Sequence, residues 1–159
     1  KIDVDKMISS ILNDLDFEIQ DKSIDVEIES KLPSIYSNPV ILRHVFQNLL
    51  DNACKYFPKS GRNLIKIDCK NKKSEYIFSI EDTGPGIPKD MQKSLFYTSE
   101  FSKPGINIDK QDKGLGLQLV STFIEIINGR IWLKSEVGKG STFYISFSKL
   151  DDTKAGIFQ

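Results

Sequence analysis

Three clusters in this chain combine residue types and spacings that could do chemistry. In the stretch NPVILRHVFQNLLDNACKY, residues 38–56, His44, Asn48, Asn52, Lys55 and Tyr56 recur at helical intervals and share one face. The carbonyl oxygens of Asn48 and Asn52, one turn apart, suit a hard cation, Lys55 suits an anion, and Tyr56 offers a flat ring. Cation, anion and ring together point to a metal nucleotide. The plainer alternative is a solvated helix face. Two asparagines in mid-helix weigh against it, because their side chains compete for backbone hydrogen bonds.

The second cluster is Asp82-Thr83-Gly84-Pro85-Gly86-Ile87, at the end of a strand-like run. Its glycines permit a sharp turn and close backbone approach to a flat ligand. Asp82 could accept from an exocyclic amine and so select adenine over guanine, or simply cap a turn. The third, Gly114-Leu115-Gly116-Leu117, opens a helix, whose free N–H groups and positive end favour phosphate. Gly138-Lys139-Gly140 reads as a hairpin turn.

The elements that must hold these clusters follow from periodicity. Asn38-Pro39 is a helix start, and Ile41, Leu42, Val45, Phe46, Leu49, Leu50 and Ala53 give that helix an apolar face beside the polar stripe. Lys1–Val4 alternates like a short edge strand, and the apolar spacing from Met7 to Ile19 predicts one helix ending near Lys22. Strands are expected at Ile24–Ile28, at Ile35–Ser37, around Ile65–Cys69 and Tyr76–Ile80, at Arg130–Ser135 and around Phe143–Phe147. Residues 89–113 lose periodicity, which at that length suggests a functional lid. A last helix has Gly129 as its stop. Three main helices and about six strands, several joined by hairpins, predict an α+β two-layer sandwich with the helices on one face of a mixed sheet.

The length of 159 residues suits one domain, expected over 1–150 with a tail at 151–159. Lys plus Arg and Asp plus Glu both number 22, so the net charge is zero and nothing steers the chain to nucleic acid or an anionic membrane. No apolar run could span a bilayer. The strand-like start suggests a piece of something longer. Cys54 and Cys69 lack metal or redox spacing and read as small buried hydrophobes. That fits a reducing compartment, and the cytoplasm is expected, including the cytoplasmic part of a membrane-bound sensor.

The order of these motifs resembles the ATP-binding catalytic domain of sensor histidine kinases, within the superfamily shared with gyrase and MutL. The resemblance runs from Lys1 to about Leu150. Asn48–Tyr56 looks like the family's N box, Asp82–Ile87 its G1 box, Lys113–Leu117 its G2 box and Gly138–Phe143 its G3 box. It implies the Bergerat fold, a sandwich containing a left-handed βαβ unit, and the cofactors ATP and Mg2+. Asn52 would be the principal magnesium ligand, with Asn48 beside it in metal and phosphate binding. Lys55 would touch the phosphates and Tyr56 would pack on the adenine, whose amine Asp82 would read. Gly84, Gly86 and Ile87 would shape the base pocket, with Phe143 on its floor. Lys113, Gly114, Leu115, Gly116 and Leu117 would meet the triphosphate, and residues 89–113 would form the lid, anchored by Phe96 and Phe101.

Gyrase-like relatives carry a glutamate at position 48 that activates water. Asn48 cannot serve as a general base, so Asn48 and Lys55 are expected to position the γ-phosphate for transfer to a protein histidine. The phosphoacceptor and dimerisation domain and the response regulator's receiver domain are the implied partners, and the chain itself is expected to be a monomer. His44 is the only histidine and lacks the family's acceptor context; it is expected to be structural, so that the chain does not label itself. The family's G2 box begins with a further glycine and a hydroxyl residue, whereas this chain has Asp112 and Lys113. A nucleotide-gated pseudokinase module and a serine kinase of the anti-sigma-factor type are the competing readings.

Overall fold

The computed structural model describes residues 1–58, 61–96 and 115–149. Its framework is helix α3, Pro39–Lys55, which buries Leu42, Val45, Phe46, Leu49, Leu50, Ala53 and Cys54. Its start is fixed locally: Asn38 Oδ1 accepts from the N–H groups of Val40 and Ile41, at 3.0 and 3.2 Å, and proline occupies the first turn, where a missing N–H costs nothing. Its end is fixed from outside. Lys22 Nζ donates to the carbonyls of Cys54 and Lys55 at 2.9 and 2.7 Å, placing positive charge on two of the last acceptors of the helix.

The strands are β1 (Ile2–Asp3), β2 (Ile24–Ile28), β3 (Ser34–Ile35), β4 (Asn63–Asn71), β5 (Glu75–Asp82), β6 (Arg130–Glu136) and β7 (Gly140–Ser148). Five of them form one sheet in the order β2-β4-β5-β7-β6, while β1 pairs with β3 separately. The β2–β4 pair is parallel, with α3 in the connection, and the other pairs are antiparallel, so the sheet is mixed as expected. The helices lie on one face, and α1 (Val4–Asp14), α3 and α5 (Leu115–Ile126) are the long ones. Between the layers, the Phe78 ring meets Phe46 and Phe147 edge-on at 5.4 and 6.1 Å, an arrangement that aromatic quadrupoles favour. The opposite face presents Trp132 stacked on Tyr144, 5.3 Å between centroids, with Arg130 and Lys134 over the two rings.

Several expected boundaries move. The first strand stops at Asp3, because the Asp3 carboxylate accepts from the Lys6 N–H at 3.1 Å and caps α1, which starts at Val4. The single helix expected to run to Lys22 is two, α1 and α2 (Asp16–Asp21). Leu15 between them departs from helical geometry (φ −94°, ψ 8°) and stays buried, while α2 buries none of its residues. Strand β3 ends at Ile35 rather than Ser37. Within residues 89–113 a one-turn helix, α4 (Lys89–Gln92), replaces the expected irregular start; residues 97–113, Phe101 among them, and the tail lie outside the described residues. Helix α5 is stopped by Asn128, at φ 55°, rather than Gly129, since asparagine tolerates the left-handed conformation. Gly129 serves packing, as a Cβ there would lie 2.9 Å from the Ser146 carbonyl oxygen.

Both cysteines face the core side of their elements, Cys54 buried and Cys69 half-buried. Burial pushes their thiols up to about 11 and about 12. Among the described residues no helix is long and apolar enough to cross a membrane.

Candidate functional site

The outer stripe of α3 forms one wall. Asn48 Nδ2 donates to the His44 carbonyl one turn back at 2.7 Å, which leaves its Oδ1 pointing away from the helix backbone. A Cβ on Gly116 would lie 3.2 Å from that oxygen, so the second glycine of the Gly-Leu-Gly-Leu motif sits directly against Asn48. Helix packing of α3 on α5 thereby joins two motifs 68 positions apart in sequence. Asn52 is half-buried, and among the described residues nothing is hydrogen-bonded to its amide. Lys55 and Tyr56 are exposed at the end of the helix. The exposed His44 ring packs at 5.8 Å from Phe123.

The second wall is the end of β5. Asp82 is 9% exposed, and its Oδ1 accepts from the Gly84 N–H at 2.9 Å. Desolvation raises its carboxyl to about 6; the backbone N–H groups of Gly84 and Ser141 pull it down, and neighbouring Glu81 pushes it further up. Among the described residues the carboxylate is thus a buried acceptor without a cation, which holds potential for a neutral N–H donor. Gly84 closes over it. A Cβ on Gly84 would lie 2.8 Å from Asp82 Oδ1, and Phe57, the residue after Tyr56, approaches the same point from α3.

The loop after Asp82 is fastened on both sides. Thr83 exchanges bonds with the first residues of β4: its N–H donates to the Leu64 carbonyl, its Oγ1 accepts from the Leu64 N–H and donates to the Arg62 carbonyl. Gly86, at φ +73°, lies against the β6–β7 turn, where a Cβ would meet the Glu136 carbonyl oxygen at 2.2 Å. The Gly138 N–H donates to the Pro85 carbonyl at 2.8 Å, and the Ile87 N–H to Ser135 Oγ at 2.8 Å. The Gly138–Gly140 turn is therefore more than a hairpin end. Gly140, at φ +99°, leaves no room for a Cβ, which would fall 2.0 Å from the Asp82 carbonyl oxygen. Phe143 is buried opposite Ile80 and meets Phe96 edge-on at 6.3 Å.

Of the expected site residues, Asn48, Asn52, Lys55 and Tyr56 stand together on α3 with Gly116 against Asn48. Asp82, Gly84, Gly86, Ile87 and Phe143 gather at the neighbouring strand ends, and Phe57 links the two groups. Leu117 is buried in the core, and Leu115 begins α5. Lys113 and Gly114, with Asp112, lie outside the described residues. Phe57, Thr83, Gln92 and Ser135 have no role in the sequence reading; Thr83 was legible as the hydroxyl after Asp82, whereas the others act through tertiary contacts that no local pattern announces. Among the described residues no three His, Cys, Asp or Glu side chains could hold a metal. The fitting donors are the Asn48 and Asn52 amide oxygens, a small set of the kind that suits a magnesium ion completed by phosphate oxygens and water.

A buried carboxylate at the start of a glycine-bearing loop thus stands beside a helix that presents two amides and a lysine. The chain belongs to the family described as histidine kinase-, DNA gyrase B- and HSP90-like ATPases, which matches residues 37–151. It is 35% identical over 92% of its length to the adaptive-response sensory kinase SasA of Prochlorococcus marinus, of which it spans 39%. It is 36% identical over 76% of its length to SasA of Synechococcus elongatus, spanning 30% of that protein. The chain thus covers well under half of these curated relatives. In fold it is similar to the catalytic domain of histidine kinase ThkA, with a TM-score of 0.73, 22% identity and 93% of each chain covered. It also resembles the histidine kinase AdeS of Acinetobacter baumannii, with a TM-score of 0.69, 26% identity, and 90% of this chain and 63% of that one covered.

Proposed function

We propose that this domain binds Mg-ATP and, within a sensor histidine kinase, presents the γ-phosphate to a histidine on a separate dimerisation domain, from which it passes to a response regulator's receiver domain. The observation that carries the reading is the Asp82 site: a buried carboxylate that accepts from the Gly84 N–H and against which position 84 leaves no room for a side chain. Adenine offers an amine there, and guanine a carbonyl oxygen that the carboxylate repels. Gly84, Gly86 and Ile87 give the base a flat wall, Phe143 closes its floor, and Tyr56 covers its open side.

Toward the phosphates, Asn52 and Asn48 offer carbonyl oxygens and Lys55 neutralises charge, and the family resemblance adds Lys113 and the backbone of Gly114, Leu115 and Gly116 as partners of the triphosphate. Asn52 and Asn48 would hold a magnesium ion, which would supply charge neutralisation for the phosphates. Asn48 orients without taking a proton, so the site positions the γ-phosphate for transfer and does not activate water against it. SasA relatives are named as sensory kinases, which supports the histidine reading over the anti-sigma-type serine kinase. Asp112, where the G2 box usually carries a small residue, favours the pseudokinase as the second reading.

The test is incubation with γ-labelled ATP and magnesium, with a histidine-bearing dimerisation domain supplied in trans. Acid-labile label on that domain, and none on this chain, is the expected result. Tight ATP binding without any transfer establishes the pseudokinase instead.

A further inference from the structure

Both backbone polar groups of Ile87, the residue that ends the base-pocket loop, are held by side chains from elsewhere. Its N–H donates to Ser135 Oγ at 2.8 Å, and its carbonyl accepts from Gln92 Nε2 at 2.6 Å. The same Gln92 nitrogen donates to the Ser135 carbonyl at 3.2 Å. Two carbonyl acceptors fix which end of the amide faces inward, because only the NH2 group can serve both.

The Ser135 hydroxyl is saturated. It has one proton and three partners: the Ile87 N–H, the Gly140 carbonyl at 3.0 Å and the Ser141 hydroxyl at 2.8 Å. The Gly140 carbonyl can only accept, so Ser135 donates there and Ser141 donates to Ser135. Ser141 in turn stands opposite Asp82 in the β5–β7 register, where its backbone N–H helps to hold the Asp82 carboxyl down. A chain of hydrogen bonds therefore runs from Gln92 on α4, through Ile87 and Ser135, to Ser141, the strand partner of Asp82.

We propose that Gln92 and Ser135 are positioning residues for base selection: by clamping the Ile87 peptide they hold the pocket wall at the distance from Asp82 that suits adenine. This rests on the reading of Asp82 as the adenine acceptor. Gln92 is the better handle, since it is half-buried on a four-residue helix and its replacement leaves the core untouched. Gln92→Met keeps the length and removes both donors; Gln92→Glu turns a carboxylate toward two carbonyl oxygens.

The experiment titrates the unaltered domain and both variants with Mg-ATP and with Mg-GTP up to millimolar concentration, alongside thermal denaturation. The expected result is a loss of ATP affinity of roughly fivefold for Gln92→Met, the share of one net hydrogen bond. A larger loss is expected for Gln92→Glu, with a narrower preference for ATP over GTP in both and little change in the unfolding temperature. An unchanged ATP-to-GTP ratio, whether affinity is kept or falls equally for both nucleotides, overturns the proposal while leaving the nucleotide site standing. Absence of ATP binding by the unaltered domain removes the site reading and this inference with it.

Discussion

Replacing Asp82 by asparagine should move stability and ligand affinity in opposite directions. A carboxyl that titrates at about 6 in the fold, against an ordinary value of 3.8, costs the ionised folded state about 3 kcal/mol at neutral pH. Because the folded value is the higher one, the folded state binds the extra proton: stability is greatest below about 4 and declines as pH rises through about 6. Asparagine abolishes that penalty, in which the opposing pull of the Gly84 and Ser141 N–H groups is already counted. The gain is up to about 3 kcal/mol at pH 7.5, or roughly 9 °C in unfolding temperature for a domain of this size. The gain should vanish near pH 4, where Asp82 is already neutral. The same inner donors hold the amide oxygen inward and turn its NH2 toward the pocket, donor against adenine donor. ATP affinity should fall at least tenfold. Thermal denaturation at the two pH values, paired with calorimetric titration, reads both effects. An Asp82→Asn variant that unfolds at a lower temperature at pH 7.5, or that binds ATP unchanged, refutes the reasoning.

Three further outcomes follow from the geometry. Gly140→Ala combines a left-handed φ with a Cβ 2.0 Å from the Asp82 carbonyl oxygen; it should destabilise the domain by about 3 kcal/mol or more, measured by denaturant titration. Lys22→Met removes two charge-assisted bonds from the end of α3 and should cost about 1–2 kcal/mol, with Lys22→Arg restoring part of it. Cys54 and Cys69, with thiols pushed up to about 11 and about 12, should resist a thiol reagent at pH 8 in the folded state and react once urea unfolds the chain; prompt labelling of the native protein would contradict their burial.

What the sequence disclosed was local. Asn38-Pro39 and the apolar spacing behind it specify α3 within its own residues, so that helix and its polar stripe were legible. The hairpins β4–β5 and β6–β7 were legible from alternation. The kink at Leu15 was not, because the apolar period continues through it and only the seating of Leu15 in the core separates α1 from α2. Asn128 rather than Gly129 ends α5 because the space beside Ser146 and Phe147, a tertiary fact, reserves the glycine for packing. The parallel placement of β2 beside β4 likewise depends on where α3 lays the chain. In the site, Asp82 and its glycines announce themselves by type and spacing. Ser135 and Gln92 do not: each is an ordinary polar residue whose importance arises only when strand register and a one-turn helix bring both to Ile87.

The central claim is that the two walls described above form one pocket for adenine and metal-bound phosphate. Calorimetric titration with ATP, with and without magnesium, for the unaltered domain and for Asn52→Ala tests it most directly. Micromolar binding that magnesium strengthens in the unaltered domain, and no longer strengthens after Asn52→Ala, is the predicted result. Absence of binding, or a magnesium effect that survives the substitution unchanged, would contradict it.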